Sequence, residues 1–434
     1  MIIENNKQLE EFTKEYKSKD CIVIPIECDI NKHPLDNQIS LIYVNTFGDD
    51  YILPINHNDS LNIPMPDLVS DTTKYTIDKK RLSHLLDINN VIDVNLMNYM
   101  KYGVPLDLEY VSTNAHDFLS MKFFRKENIN NVIPIMKHLE KCREMSKVLI
   151  EKIDECKEYV NMSYNEEILN NLGFIESNGL KTIGKNLHGF ISNGKDMIFS
   201  EYNLFTSTGR PSNRFGGINF AALNKKDGSR KHFISRFENG VLVEMDFDAY
   251  HLRLIADKIG YEFPKGSVHE HMAEFYGVNY EESKALSFQY LYGFIPKDVM
   301  DINPYFEKVD EYIRDLWSTY KREEFILSDI YNRQIFKKNL VDMNANKLFN
   351  YTIQLMETEN NMKVLSELIP KLKGYESKLI LYSYDSFLFD FNVDDGLDYL
   401  IDVKNILEQN GKYPVKVSSG TNYHEMKDIT EKFV

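Results

Sequence analysis

Positive charge is what this 434-residue chain lacks overall: 51 Lys and Arg stand against 66 Asp and Glu, a net of −15, so a uniformly basic surface is excluded. Long apolar runs are missing too. No stretch approaches the roughly 20 residues of a membrane span, and the start, Met1-Ile2-Ile3-Glu4-Asn5-Asn6-Lys7, lacks the basic-then-apolar layout of a signal peptide, so no membrane role is expected. Cysteine is scarce. Cys21, Cys28, Cys142 and Cys156 form no Cys-x-x-Cys pair and sit in apolar or helical contexts, which argues for reduced core thiols and a cytoplasmic setting. The rest is ordinary globular material, 43% hydrophobic and 27% charged, over a length that suits two or three domains.

Two acidic residues interrupt apolar runs. Asp246 follows Val241-Leu242-Val243-Glu244-Met245, and Asp385 lies within the run from Leu379 to Phe389. A buried carboxylate is costly without a compensating cation, so two such strands suggest a shared cation site; taken alone, each Asp serves equally well as a cap or turn of its own strand. Between them, residues 281 to 293 read as a helix that stops at Gly293. Lys284, Phe288 and Tyr292 recur every four residues, so an ammonium and two rings share a face that a core helix would fill with aliphatics. Such a face suits phosphates and a base.

On these residues the chain resembles the family A DNA polymerases of the bacterial DNA polymerase I type. Asp246-Phe247-Asp248-Ala249-Tyr250-His251-Leu252-Arg253 is similar to the first catalytic motif, Lys284 to Gly293 to the nucleotide-binding fingers helix, and Tyr384-Asp385-Ser386 to the third motif, usually His-Asp-Glu. Thr206-Ser207-Thr208-Gly209-Arg210-Pro211-Ser212 resembles the Thr-x-Thr-Gly-Arg-Leu-Ser segment, and Asn350-Tyr351-Thr352-Ile353-Gln354 the Asn-x-x-x-Gln helix. Ser419-Gly420-Thr421-Asn422-Tyr423 resembles the Gly-x-x-Trp ending. The order of these motifs in the chain is more specific than any one of them.

The resemblance implies an α+β and α/β multidomain protein: a right-hand polymerase with an antiparallel palm sheet, helical fingers and a short helical thumb, preceded by an α/β exonuclease-like domain. The corresponding boundaries are 1–130 for a degenerate 3′-5′ exonuclease-like domain, 131–190 for the thumb, 191–260 and 346–434 for the palm, and 261–345 for the fingers. It implies Asp246 and Asp385 as catalytic carboxylates that, with the Phe247 carbonyl, hold two Mg²⁺ ions about 3.5–4 Å apart, Mn²⁺ substituting. Lys284 and His269 would bind the triphosphate of a dNTP, Phe288 would stack on its sugar and base, and Tyr292 would stand under the templating base. Arg210, Asn350, Gln354 and Tyr384 would contact primer-template DNA. Residues 209 to 236 carry Arg210, Arg214, Lys225, Lys226, Arg230, Lys231 and Arg236 against Asp227 alone, seven minus one or +6, and read as a phosphate-tracking wall.

Toward the amino terminus, the β-like runs 22–26 and 39–44 precede a helical stretch whose apolar stripe comprises Val132, Ile135, Met136, Leu139, Cys142, Met145, Leu149, Ile153 and Cys156. Ile24-Pro25-Ile26-Glu27-Cys28-Asp29 resembles the opening Asp-x-Glu strand of the exonuclease domain, with Pro25 where the first carboxylate belongs, and no Tyr-x-x-x-Asp follows in 90–135, so proofreading is not expected. In the polymerase core, Asp248 is expected to cap a helix beginning at Ala249 and Asp385 to sit at an exposed hairpin tip. Departures from the family pattern are His251, where the gate Glu against a ribose 2′-hydroxyl stands, Tyr280 for an Arg, Asn346 for an Arg and Ser386 for a Glu. The sequence favours a DNA polymerase of a phage, virus or mobile element, aided by a processivity or other replication protein. It leaves open a catalytically silent nucleic-acid-binding replication accessory protein and a polymerase of different sugar or template specificity.

Overall fold

A near-continuous apolar run over residues 21–27 decides the first half of the architecture. A computed structural model of the chain describes all residues except 29–31, 58–59, 107–133, 160–162, 184–195, 216–217 and 434, together with all side chains among the described residues other than those of 163–166. It divides into two compact units, Met1–Ser177 and Asn178–Val434. In the first, strands β1 (Cys21–Glu27), β2 (Ile39–Asn45), β3 (Asp50–Pro54), β4 (Lys74–Thr76) and β5 (Val91–Asp93) form one sheet in the order β3-β2-β1-β4-β5. β1 runs antiparallel to β2 and parallel to β4. Alternate β1 side chains feed two cores: Ile22, Ile24 and Ile26 on one face, Cys21 and Val23 on the other. That double burial is why the sequence there reads as a continuous apolar run rather than an alternating one.

The helix Ile135–Cys156 lays Leu139, Cys142, Met145, Leu149, Ile153 and Cys156 on the Ile22–Ile24–Ile26 face, so the stripe expected on a thumb is a packing face of the first unit. Met136 does not share it and is 47% exposed; Val132 lies outside the described residues. All four cysteines are buried.

The second unit is built on an antiparallel sheet of β6 (Gly240–Phe247), β7 (Lys378–Ser383), β8 (Ser386–Asn392), β9 (Val415–Gly420) and β10 (Lys427–Asp428), ordered β7-β8-β6-β9-β10. β6 is central, flanked by β8 and β9. Helices Tyr250–Ile259, Val268–Tyr276, Tyr280–Tyr292, Pro304–Arg322 and Ala345–Leu372 share a core of Leu252, Ile255, Met272, Leu291, Phe306 and Phe349 with their neighbours. The chain is thus a mixed α and β multidomain protein of helices and several sheets. Among the described residues no helix is long and apolar enough to cross a membrane.

Candidate active site

The two carboxylates meet because their strands do. Asp246, next to last in β6, is paired with Ser386, the first residue of β8, and the Phe247 N–H donates to the Asp385 carbonyl at 3.0 Å. Asp385 is half-buried in the two-residue turn between β7 and β8 rather than at an exposed tip. Tyr384 takes the left-handed conformation there, φ 61°, which lets the turn match the strand twist. Asn361, fully buried on the long helix, holds the turn by donating to the Tyr384 carbonyl (2.6 Å) and the Tyr382 hydroxyl (3.1 Å), while accepting from Tyr250 (2.8 Å). One side chain thus ties the segment after Asp246 to the segment before Asp385.

Burial, and next the charge of Asp385, pushes the Asp246 carboxyl up to about 7. Burial, followed by the charge of Glu357, raises Asp385 as well. The pair is short of positive charge, the condition a hard cation relieves.

A cavity of about 510 Å³ opens on the pair, lined by Asp246, Phe247, Asp385, His251, His269, Lys284, Phe288, Tyr292, Arg210 and Gln354 among others. The helix Tyr280–Tyr292 starts at an Asn279 cap and stops at Gly293, as its sequence indicates, and aims Lys284, Phe288 and Tyr292 into the cavity. The rings of Phe288 and Tyr292 are parallel within 5°, centroids 5.9 Å apart. His269, 2% exposed, packs between Tyr280 and Phe288. Burial lowers its pKa to about 4, so it meets a ligand at neutral pH as an uncharged imidazole rather than a second cation.

Several expected contacts are used differently. Asp248 does not cap the following helix: Ala249 occupies that position at φ 52°, and Asp248 pairs with Lys416 at 2.7 Å and Arg253 at 3.5 Å. Asn350 donates to the Tyr292 carbonyl and Asn346 to that of Gly293, satisfying the open end of the Tyr280–Tyr292 helix. Gln354 accepts from the Thr208 hydroxyl at 3.3 Å. Arg210 pairs with the fully buried Glu357 at 2.8 Å and lies 3.7 Å over the Tyr384 ring.

The basic segment is thinner than its composition. Arg230 is 8% exposed, stacks 4.2 Å over Tyr423 and donates to the Leu223 carbonyl, because Tyr423 is buried against Glu244 and leaves a ring face to cover. Arg236 pairs with buried Asp390 at 2.7 Å. With Arg210, Arg230 and Arg236 turned inward, Arg214, Lys225, Lys226 and Lys231 remain exposed beside Asp227: four minus one, or +3. Sequence reasoning missed Lys416, Glu357 and Asn361. Each is an unremarkable residue in sequence, brought to the site by a strand or helix that the chain reaches well away in sequence from both carboxylates.

No family model matches the chain, and no curated protein matches it. Among solved structures it is similar to the POL domain of Pol1 from M. smegmatis in complex with DNA primer-template and dNTP, at a TM-score of 0.69 and 13% identity, over 98% of this chain and 100% of that one. The fold is that of a polymerase domain. In that fold the cavity lies at the turn end of the central strands of the second unit's sheet, walled by the Tyr280–Tyr292 helix.

Proposed function

We propose that this protein is a template-directed DNA polymerase of the family A type, joining a deoxynucleotide from a dNTP to a primer 3′-hydroxyl. The observation that carries the reading is one cavity holding two half-buried, under-compensated carboxylates opposite an ammonium and two parallel rings. Lys284 receives the triphosphate as a point charge with neutral His269 donating beside it, Phe288 offers a face to sugar and base, and Tyr292 backs the templating position. Arg210, Gln354 and Tyr384 border the primer side. Exposed Arg214 and Lys231 meet backbone phosphates; Asn350 and Arg230 act behind the surface.

Asp246 and Asp385 present hard oxygen donors, with the Phe247 carbonyl as a third, and no group of three or more His, Cys, Asp or Glu able to hold a metal occurs among the described residues. That set suits Mg²⁺, or Mn²⁺ in its place, shared with substrate oxygens. Two such ions, when bound, supply the charge that favours attack by the primer hydroxyl and departure of pyrophosphate.

The absence of proofreading belongs to the same proposal. Glu27, at the end of β1, is engaged by the Arg81 guanidinium, whose Nη2 donates to Glu27 Oε2 at 2.8 Å, and by Asn37 at 2.6 Å, which leaves a metal little to hold. Asp29 lies outside the described residues. A compact polymerase without this activity fits replication of a phage, virus or mobile element in a host cytoplasm, with a processivity protein as partner.

Primer extension with Mg²⁺ and four deoxynucleotides, beside Asp246→Ala and Asp385→Ala, tests the proposal. Extension by the native protein and loss in both variants is expected. Failure of the native protein to extend while still binding DNA would favour a silent binder.

A further inference from the structure

One buried charge in this unit has no part in the reading above. Glu357, on the helix Ala345–Leu372, is 0% exposed, yet its carboxylate lies at the back of the cavity wall. Burial disfavours its charge, but His251 and Arg210 together outweigh that and hold it ionised, with a pKa below the ordinary value. Arg210 grips both oxygens, at 2.8 and 3.0 Å, and is itself backed by the Tyr384 ring. His251 Nε2 lies 3.4 Å from the same carboxylate, while His251 Nδ1 is hydrogen-bonded to the Tyr292 hydroxyl, the two rings standing at 86°. An imidazole hydrogen-bonded at Nδ1 and facing a fixed carboxylate across 3.4 Å at Nε2 has less freedom to swing out of the wall than one anchored at Nδ1 alone.

A nucleotide lying along the Lys284, Phe288 and Tyr292 face has its phosphates at Lys284 and its base toward Tyr292, with the sugar between. The wall beside that sugar is formed by Tyr292 and His251. We propose that Glu357 is the positioning residue that makes His251 selective for the sugar, by fixing the imidazole where a ribose 2′-hydroxyl would need room. This rests on the cavity being a nucleotide site. The carboxylate behind the wall comes from the long helix, and the group facing the sugar is a ring.

The test compares the deoxy-to-ribo ratio of kcat/KM in native protein, Glu357→Gln, His251→Glu and the double variant. Gln keeps the volume but turns an amide NH₂ toward Arg210 or His251. The ratio is expected to fall about tenfold or more in Glu357→Gln, mostly through KM. His251→Glu alone sets two carboxylates side by side and weakens dNTP use. Removing the second carboxylate in the double variant restores both the ratio and dNTP use, a rescue that a purely structural ion pair would not produce. An unchanged ratio in Glu357→Gln, or a loss equal for both sugars accompanied only by a lower Tm, overturns the inference while the polymerase reading stands. If the native protein takes up neither dNTP nor rNTP, with Mg²⁺ present, in a direct binding titration, the cavity reading fails first and this inference with it.

Discussion

Each unit carries a carboxylate at or next to the end of an inner strand of its main sheet, and the two fates differ. At the end of β1, Glu27 is 7% exposed and is met by Arg81 and Asn37. Near the end of β6, Asp246 is met by a second carboxylate, and burial together with Asp385 pushes it up to about 7. A buried acid with its own guanidinium is part of the scaffold, because removing either partner strands a charge. A half-buried acid facing another acid is a liability to folding that a retained proton or an external cation relieves, and that marks a site. The residue type at the strand end does not separate the two cases. The neighbour does.

The largest effect expected from breaking this contrast is on chemistry. Asp246→Ala or Asp385→Ala should lower the extension rate by roughly a thousandfold or more, since each removes a donor where charge develops. Glu27→Gln should leave that rate near native in single-turnover extension. Its cost falls on stability: about 3 kcal/mol, as expected when one partner of a largely buried ion pair is removed, read as a shift in the urea midpoint of the first unit. A metal-dependent 3′-end degradation that Glu27→Gln abolishes would reverse the assignment of the two strand ends.

The second unit's site was legible in the sequence where chemistry is concentrated in short segments. The spacing of Lys284, Phe288 and Tyr292 with a terminal Gly293 specifies one helical face, and the structure places all three side chains in one cavity. The hairpin of β7 and β8 was legible too, with its bend at residues 384 and 385. What stayed hidden depends on pairing between distant segments. Asp248 looks like a helix cap until β9 brings Lys416 across the sheet, whereupon an ion pair replaces the cap and Ala249 starts the helix uncapped. Seven cations look like a charged wall until Glu357, Asp390 and Tyr423 each claim an arginine. Local composition counts charges but does not say which are already spent.

A smaller effect sharpens the same contrast through pH. Folding raises the Asp246 pKa, so the folded chain keeps a proton that the unfolded chain releases near pH 4. The stability linked to that proton is fully present below about pH 4 and is lost as the pH rises through about 7. Metal-free Asp246→Asn should therefore melt higher than native protein at pH 8, by roughly 3 °C or more, with the gap closing toward pH 4. Mg²⁺ should raise the native Tm at pH 8 and leave the variant nearly unmoved. A native protein that melts at the same temperature with and without Mg²⁺ at pH 8 would count against a cation site at the pair.

The smallest effect tests which positive charges remain available. Lys231 is exposed, whereas Arg230, its neighbour in sequence, is covered by Tyr423. If exposed cations track phosphates, Lys231→Ala weakens binding to primed DNA modestly and lowers the slope of log K against log salt by about one. Arg230→Gln should leave that slope unchanged and instead lower the Tm, because it uncovers the Tyr423 ring and removes the donor to the Leu223 carbonyl. The pair is separated by a single peptide bond and carries the same formal charge, so a difference in salt slope reads burial directly. Equal slopes for both variants would mean that Arg230 leaves Tyr423 when DNA binds, and would return it to the phosphate-facing surface that its sequence suggests.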